Sequence, residues 1–327
     1  RARADQQLAT DLVAGVVQPL EIQLVYTPPP PCIFVESVTN WYKMKRVLLL
    51  TVIAFAAILH AHAQLPDADS SLIAFLRKGP HISAHRGGMN FAAYPENCLE
   101  TFEHLLSQIP AIIELDVEMT ADSVLIILHD NTLHRTTTGA GAVAAHTWEQ
   151  VKDLKLKNRD STDTGFSIPL LADALEWAAR RGAIFTIDVK RNVPFEKVIQ
   201  QVERYKMERQ SVIITYTAAD ALQVYTLKPD ILISANMRSV EEADRVLGTG
   251  IPADRLVAFV GTREPSPELY DKLKALNIPT ILGTMGNLDN MALARGNRVY
   301  LEFIARGAVI LSTDRPVEAW QAIMEGE

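Results

Sequence analysis

The chain has 327 residues, of which 48% are hydrophobic and 22% are charged, and its formal net charge is −7. This composition is typical of a soluble globular protein, and the length allows one to three domains of about 100–200 residues. A mildly acidic chain without a Lys/Arg cluster lacks the basic surface of a nucleic-acid binder, so we expect no nucleic-acid partner. Its two cysteines, Cys32 and Cys98, are too few for a disulfide scaffold or a multi-cysteine zinc site.

Residues 44–63 show the three parts of a secretory signal. Met44 begins a short basic start, 47–59 form an apolar core, and the small residues Ala61 and Ala63 precede the predicted cleavage point. The apolar run is shorter than the roughly 20 residues of a membrane span. We therefore expect export through a cleaved signal peptide, into a periplasm or out of the cell, and no stable membrane anchor after cleavage.

Residues 1–43 precede this signal and contain the proline run 28–31 without a sustained apolar period. Because a secretory signal lies at an N-terminus, we expect Met44 to be the true start and 1–43 to be a non-native upstream extension. The mature domain is then predicted to be 64–327, with Cys98 as its thiol.

After residue 80, short apolar or β-branched runs recur, and amphipathic stretches separate most of them. The nine strand candidates are 81–84, 111–117, 124–128, 183–189, 211–215, 231–234, 256–260, 280–282 and 308–311. Several capping patterns indicate where helices begin and end. They are Asn97 with Glu100, Ser239 with Glu242, Ser266 before Pro267, and Gly182 as a helix end.

This alternation predicts parallel strands with crossover helices, and a domain of about 250 residues fits a (β/α)8 TIM barrel. Nine candidates exceed the eight strands of such a barrel, and the link from 111–117 to 124–128 is too short for a helical crossover. We expect one irregular unit there, either an antiparallel strand or a missing helix. The stretch 138–180 is expected to be a small insertion after the third strand, a loop followed by helices. A doubly wound open sheet is the alternative, but no glycine-rich nucleotide-binding turn follows any strand.

Charged residues collect where the first four strong strands end. They are His85 and Arg86, then Glu114 and Asp116, then His129, then Asp188 and Lys190. Residues two apart in a strand share a face, and barrel active sites lie at the C-terminal strand ends. Three carboxylates form an oxygen-rich site suited to Ca²⁺ or Mg²⁺. Burying so many charges over an apolar barrel is costly unless a metal and an anion neutralise them, so the pattern predicts a metal-assisted phosphate site.

The order and spacing of these blocks resemble the glycerophosphodiester phosphodiesterases. The blocks are His85-Arg86-Gly87-Gly88, Tyr94-Pro95-Glu96-Asn97-Cys98-Leu99-Glu100, Glu114-Leu115-Asp116-Val117, His129-Asp130 with Leu133, Arg135-Thr136-Thr137, and a closing Thr313-Asp314-Arg315-Pro316. The resemblance runs from about residue 81 to the C-terminus. It implies a barrel that uses a divalent cation to hydrolyse small glycerophosphodiesters to sn-glycerol 3-phosphate and an alcohol.

The resemblance also implies a role for each matching residue. His85 and His129 match a general acid/base pair, Glu114 and Asp116 match metal ligands, and Arg86 and Lys190 match phosphate-binding positions. Asp188 matches the third metal ligand, where the family usually has the longer Glu. Glu96 is expected either to order its loop or to support the site from behind these contacts. In the implied reaction one His removes a proton and the other donates one to the leaving alcohol, and the sequence does not assign the two roles.

Two other functions remain open at this point. A phospholipase-D-like lyase resembles the same barrel and uses a similar His pair, although such enzymes typically carry disulfides. A non-catalytic barrel that binds phosphorylated ligands is the second alternative, and the presence of both histidines argues against it. Cys98 is expected on the first turn of a helix, where it either packs or has a lowered thiol pKa. The sequence does not predict the head group or the oligomeric state.

Overall fold

Eight parallel strands close a barrel in the computed structural model, which describes residues 71–326. The barrel strands, with all strands numbered in chain order, are β1 (His81–Ala84), β2 (Ile112–Met119), β6 (Phe185–Val189), β7 (Ser211–Thr215), β8 (Leu232–Asn236), β9 (Leu256–Phe259), β10 (Thr280–Gly283) and β11 (Ile310–Thr313). β1 pairs in parallel with both β2 and β11, which closes the circle. The predicted (β/α)8 fold is confirmed. The predicted extension 1–43 and signal 44–63 lie outside the described residues.

Helices follow most of the barrel strands and cover the outside of the barrel. They are α2 (Leu99–Leu106), α4 (Leu171–Arg181), α5 (Phe195–Arg204), α6 (Ala218–Leu227), α7 (Val240–Leu247), α8 (Pro267–Ala275), α9 (Asn287–Arg295), α10 (Val299–Arg306) and α11 (Pro316–Gly326), with the short α1 (Leu72–Leu76) and α3 (Trp148–Val151) elsewhere. Within residues 71–326, none of the helices has the length and apolar character needed to cross a membrane.

Three of the four predicted helix boundaries are confirmed, and one is wrong. The Ser239 side chain accepts from the Glu242 N–H, Pro267 begins its helix, and Gly182 ends α4 in the left-handed conformation with φ +70°. Asn97, however, does not cap α2, which begins after Cys98. The Asn97 side chain is drawn away from the helix because it bonds to a buried carboxylate of β2.

The irregular unit contains an antiparallel strand, which is one of the two alternatives that the sequence predicted, the other being a missing helix. β3 (Leu125–Ile127) pairs antiparallel with the end of β2, with Val117 opposite Ile127 and Met119 opposite Leu125. β3 is therefore not one of the eight barrel strands. It turns the chain back over the barrel mouth, and the Leu128 N–H bonds to the Asp116 carbonyl at 3.0 Å. The next residue is His129, which this return brings to the site.

The insertion after β3 differs from the expected loop and helices. It contains a two-stranded antiparallel sheet of β4 (Lys155–Lys157) and β5 (Asp163–Ser167), besides the short helix α3. These strands escape the sequence pattern because they are short and polar, and β5 alternates only between exposed and half-buried side chains. Apolar side chains of the insertion, such as Val143 and Leu156, pack in one cluster with Cys98 and Leu128 from outside it.

The two ends of the barrel differ in polarity. Leu72, Ile73 and Leu76 of α1 close the N-terminal end by packing on an apolar layer of inward-facing residues. That layer consists of Ile112, Ile184, Val212, Leu232, Val257, Ile281 and Ile310. Each fully buried aliphatic side chain contributes about 1.5–3 kcal/mol to stability, so this layer anchors the barrel. Buried polar side chains accumulate instead towards the C-terminal end of the strands.

Candidate active site

Strand pairing brings the three predicted ligand carboxylates together. β2 and β6 pair in parallel with Asp116 opposite Asp188, while Glu114 lies two residues before Asp116 on the same face. One oxygen from each carboxylate lies within 4.8 Å of the other two. Their exposed fractions are only 7% for Glu114, 1% for Asp116 and 5% for Asp188. The oxygens thus form a compact buried cluster that can hold a cation.

A strained turn after β1 supports Glu114. Arg86 lies in the left-handed region with φ +52°, and its backbone N–H donates to Glu114 Oε2 at 2.6 Å. Gly87 follows with φ +73°, and a Cβ there would lie 2.1 Å from the Phe102 ring. A non-glycine residue held left-handed is costly and is found preferentially at functional sites. Here the strain aims a backbone donor at a buried carboxylate.

Asn97 supports Asp116 through both ends of its amide. Asn97 Nδ2 donates to Asp116 Oδ2 at 2.7 Å, and the Asp116 N–H donates to Asn97 Oδ1 at 3.1 Å. Asn97 is buried and has φ +56°, a conformation that asparagine tolerates better than most residues. Its place in the chain therefore serves the site rather than the helix start.

Lys190 lies between the two aspartates. Its Nζ is 2.5 Å from Asp116 Oδ1 and 2.6 Å from Asp188 Oδ2. Burial would lower the pKa of Lys190, but the two carboxylates raise it above its ordinary value. Burial would raise the pKa of Asp116, yet Lys190 and His129 hold it at about 2. For Glu114, burial and the nearby Asp116 raise the pKa to about 8. Crowding of the buried carboxylates thus disfavours the charged form of Glu114, and a divalent cation beside the three carboxylates would offset this repulsion.

Each predicted catalytic histidine is oriented by an aspartate. His85 Nδ1 lies 2.7 Å from Asp314 Oδ1, and His129 Nδ1 lies 2.7 Å from Asp130 Oδ1. These contacts place the Nδ1 atoms against carboxylates, so Nε2 is the nitrogen left for proton transfer. Burial would lower the pKa of His85, but the Asp314 hydrogen bond and the charge of Glu114 raise it overall.

Glu96 connects the two sides of the site. It accepts from Arg86 Nη1 at 2.9 Å and from Arg135 Nη1 and Nη2 at 2.8 Å. Arg135 also donates to both oxygens of Asp130, which in turn contacts His129. Arg86 Nε is buried and has no hydrogen-bond partner among residues 71–326. This atom lies 3.8 Å from Asp116 Oδ2, so the guanidinium places positive charge beside the carboxylate cluster.

The structure brings all eight predicted site residues to the mouth of the barrel, and it adds four that sequence reasoning did not assign. Asn97 was interpreted as a helix cap, and Arg135 was named only as part of a sequence block that resembles the family. Asp314 directly follows β11 and Tyr216 directly follows β7, where its hydroxyl donates to Asp188. The strand-end rule, applied to all eight strands rather than the first four, points to both residues.

Comparison with known proteins decides the family. The model of the glycerophosphoryl diester phosphodiesterase family matches residues 85–256. The chain belongs to this family. A glycerophosphodiester phosphodiesterase from Bacillus altitudinis is 33% identical over 180 residues, which are 53% of this chain and 72% of the relative. The family assignment supports glycerophosphodiester hydrolysis, so this phosphodiesterase barrel has the fold and the family that its motifs predicted.

Solved structures of other phosphodiesterases agree with the fold. The crystal structure of a glycerophosphoryl diester phosphodiesterase from Parabacteroides distasonis is 32% identical, covers 78% of this chain and 92% of its own, and has a TM-score of 0.69. An Oleispira antarctica phosphodiesterase, solved with its product sn-glycerol-3-phosphate, is 19% identical and has a TM-score of 0.63. The match covers 78% of this chain and 100% of that phosphodiesterase. At that identity the second likeness shows the barrel fold alone.

Proposed function

We propose that this member of the family hydrolyses small glycerophosphodiesters to sn-glycerol 3-phosphate and an alcohol, with a divalent cation and two histidines as acid and base. One observation carries the proposal: three buried carboxylates and two aspartate-bound histidines meet at the C-terminal mouth of the barrel. A cavity of about 130 Å³ at this place is lined by His85, Glu114 and Asp188. The product found in the Oleispira antarctica phosphodiesterase is consistent with the proposed product.

The cation is proposed to be Ca²⁺ or Mg²⁺, held by Glu114, Asp116 and Asp188. All three donors are hard carboxylate oxygens, which both ions prefer over nitrogen or sulfur. Such a cation, when bound, supplies a Lewis acid beside the phosphate. Arg86, Asn97 and further donors from the surrounding loops hold these carboxylates in place.

The histidines are proposed to move the protons. One takes the proton of the glycerol 2-hydroxyl through Nε2 as this oxygen attacks phosphorus, and the other gives a proton to the oxygen of the leaving alcohol, so that a cyclic phosphate forms. Water then opens the cyclic phosphate to sn-glycerol 3-phosphate, with the roles of the two histidines exchanged. Asp314 holds His85 and Asp130 holds His129 at Nδ1, which fixes the orientation of each ring and leaves its Nε2 free for proton transfer. A general acid and a general base are thus present in one site.

Arg86 and Lys190 are proposed to bind the phosphate oxygens. The Arg86 guanidinium lies at the carboxylate cluster, where Nη1 donates to Glu96 and Nε is 3.8 Å from Asp116 Oδ2. Lys190 has three N–H donors, of which Asp116 and Asp188 occupy two. The remaining donor is available to a phosphate oxygen, and both cations offset the charge that develops on it.

The test is the release of sn-glycerol 3-phosphate from glycerophosphocholine by the purified protein. We expect release with Ca²⁺ or Mg²⁺, none with EDTA, and a loss of most turnover in the His85→Ala and His129→Ala variants. The control is Asp254→Asn, an exposed change in the turn before β9, at the opposite end of the barrel.

Other products would contradict the proposal. A cyclic glycerol phosphate as the final product would indicate the lyase, and binding of glycerophosphodiesters without turnover of any head group would indicate a non-catalytic barrel. Near-normal rates in both histidine variants would refute the acid and base assignment. Equal rates in EDTA and in Ca²⁺ or Mg²⁺ would refute the metal dependence.

We also propose that the protein acts outside the cytoplasm. The proposal rests on the basic start, apolar core and small residues of 44–63. N-terminal sequencing of the protein from the periplasm or the medium should begin at Gln64. Retention of the protein in the cytoplasm, or a secreted product that contains peptides from 1–43, would contradict it.

A further inference from the structure

Tyr216 lies beside the carboxylate cluster, and the proposed reaction gives its side chain no role. It follows β7 directly, and its hydroxyl lies 2.8 Å from both Oδ1 and Oδ2 of Asp188. Its side chain is nevertheless 53% exposed, which is unusual for an aromatic residue. An exposed ring whose hydroxyl reaches a buried carboxylate requires an explanation.

The backbone of Tyr216 is held on both sides. Asn236 Nδ2 at the end of β8 donates to the Tyr216 carbonyl at 3.1 Å. Thr217 caps α6, since its side chain accepts from the Asp220 N–H and Asp220 accepts from the Thr217 N–H. The residue is thus fixed between a strand end and a capped helix start. A side chain on such a support can position a partner within a few tenths of an ångström.

Two side chains hold the Asp188 carboxylate, and Tyr216 is one of them. Of the two Asp188 oxygens, Lys190 contacts Oδ2, at 2.6 Å, and this single contact leaves the carboxylate free to rotate about it. The hydroxyl of Tyr216 touches both oxygens and thereby fixes the plane of the carboxylate. The corresponding supports are the Arg86 N–H for Glu114 and the Asn97 amide for Asp116.

We propose that Tyr216 is a positioning residue, which orients the Asp188 carboxylate towards Glu114 and Asp116 and so sets the affinity of the site for its divalent cation. This inference rests on the proposed function, because it takes the three carboxylates as the cation site. Partners that orient metal ligands from behind are worth about 10- to 100-fold in metal affinity. We place the loss in Tyr216→Phe at about 10-fold, because Lys190 continues to hold one oxygen of Asp188.

The experiment measures Ca²⁺ and Mg²⁺ binding to the metal-free full chain by isothermal titration calorimetry, without substrate. The wild type is compared with Tyr216→Phe and with Tyr225→Phe. Tyr225 lies on the next helix, α6, and its hydroxyl has no hydrogen-bond partner among residues 71–326, so its loss should leave the Kd unchanged. The unfolding temperature in EDTA checks that all three proteins are folded at the temperature of the titration.

The metal dependence of turnover separates positioning from direct contact with the substrate. A positioning role predicts that the metal concentration for half-maximal rate rises about 10-fold in Tyr216→Phe, while kcat and KM at saturating metal return to within twofold of wild type. A higher KM or a lower kcat that persists at saturating metal would overturn the proposal and indicate that Tyr216 contacts the substrate. A Kd within twofold of wild type would also overturn it.

The two proposals fail in different ways. If the wild type binds neither cation, the metal site itself is refuted and the role of Tyr216 falls with it. If the wild type binds a cation and Tyr216→Phe binds it equally well, only the inference about Tyr216 is refuted.

Discussion

The strongest test of the site concerns Asp314, which lies 229 residues after the histidine it contacts. The change is Asp314→Asn, which keeps the shape of the side chain and removes its charge. The backbone N–H of Asp314 donates to Asp289 Oδ2 at 2.9 Å, and this bond does not involve the carboxyl group that is changed. The loop therefore keeps its anchor, and we expect the variant to fold.

The size of the effect follows from the contact with His85. A hydrogen bond to a charged group contributes about 1.5–3 kcal/mol, and Asp314 forms one at 2.7 Å with the Nδ1 of a largely buried histidine. If this bond stabilises the protonated ring in the transition state, its loss lowers kcat about 10- to 100-fold. The same bond raises the pKa of His85, so the variant should have a lower His85 pKa than the wild type. The limb of the pH–rate profile that reports His85 then moves to lower pH, whether this histidine is the acid or the base.

The assay is the rate of sn-glycerol 3-phosphate release between about pH 5 and 9 at saturating substrate and metal. Asp254→Asn serves as the control for an aspartate change far from the site and should match the wild type. A kcat for Asp314→Asn within twofold of wild type, together with an unshifted profile, would refute the assignment of Asp314 as the group that orients His85.

Four further outcomes are expected. Asn97→Ala removes two hydrogen bonds from Asp116, so the cation affinity measured by calorimetry should fall at least several-fold. An unchanged Kd would show that Lys190 alone holds Asp116. Gly87→Ala should lower the free energy of unfolding, measured in urea titrations, by at least about 1 kcal/mol, because φ is +73° and the new Cβ would meet the Phe102 ring. An unchanged unfolding midpoint would contradict that packing. Burial raises the pKa of Cys98 to about 12, so at pH 8 a thiol reagent should modify it only after unfolding, and rapid labelling of the native protein would contradict its burial. Since the folded pKa lies above the ordinary 9.0, the stability from the buried neutral thiol is present below pH 9 and declines at higher pH, a decline that Cys98→Ala should lack.

Local sequence patterns were sufficient to predict the barrel strands, most of the helices and most of the site residues. The period of two in β2 predicts that Glu114 and Asp116 share a face, and the caps at Ser239 and Ser266 depend only on neighbouring residues. Alternation of strands with helices predicts the barrel, because few arrangements bury both kinds of element. The short link after β2 indicated an irregular unit, but only strand pairing decided that it is antiparallel.

What the sequence by itself determined is therefore the barrel, the family and the chemical groups at the strand ends. Tertiary structure decided which groups meet: the register of β2 against β6 sets Asp116 beside Asp188, and closure of β11 on β1 brings Asp314 to His85. Tertiary structure also decided that the Asn97 side chain binds the buried Asp116 carboxylate and does not cap a helix. The physical reason is that these contacts join residues far apart in the chain, whereas propensity and periodicity report only on neighbours within a turn or a strand.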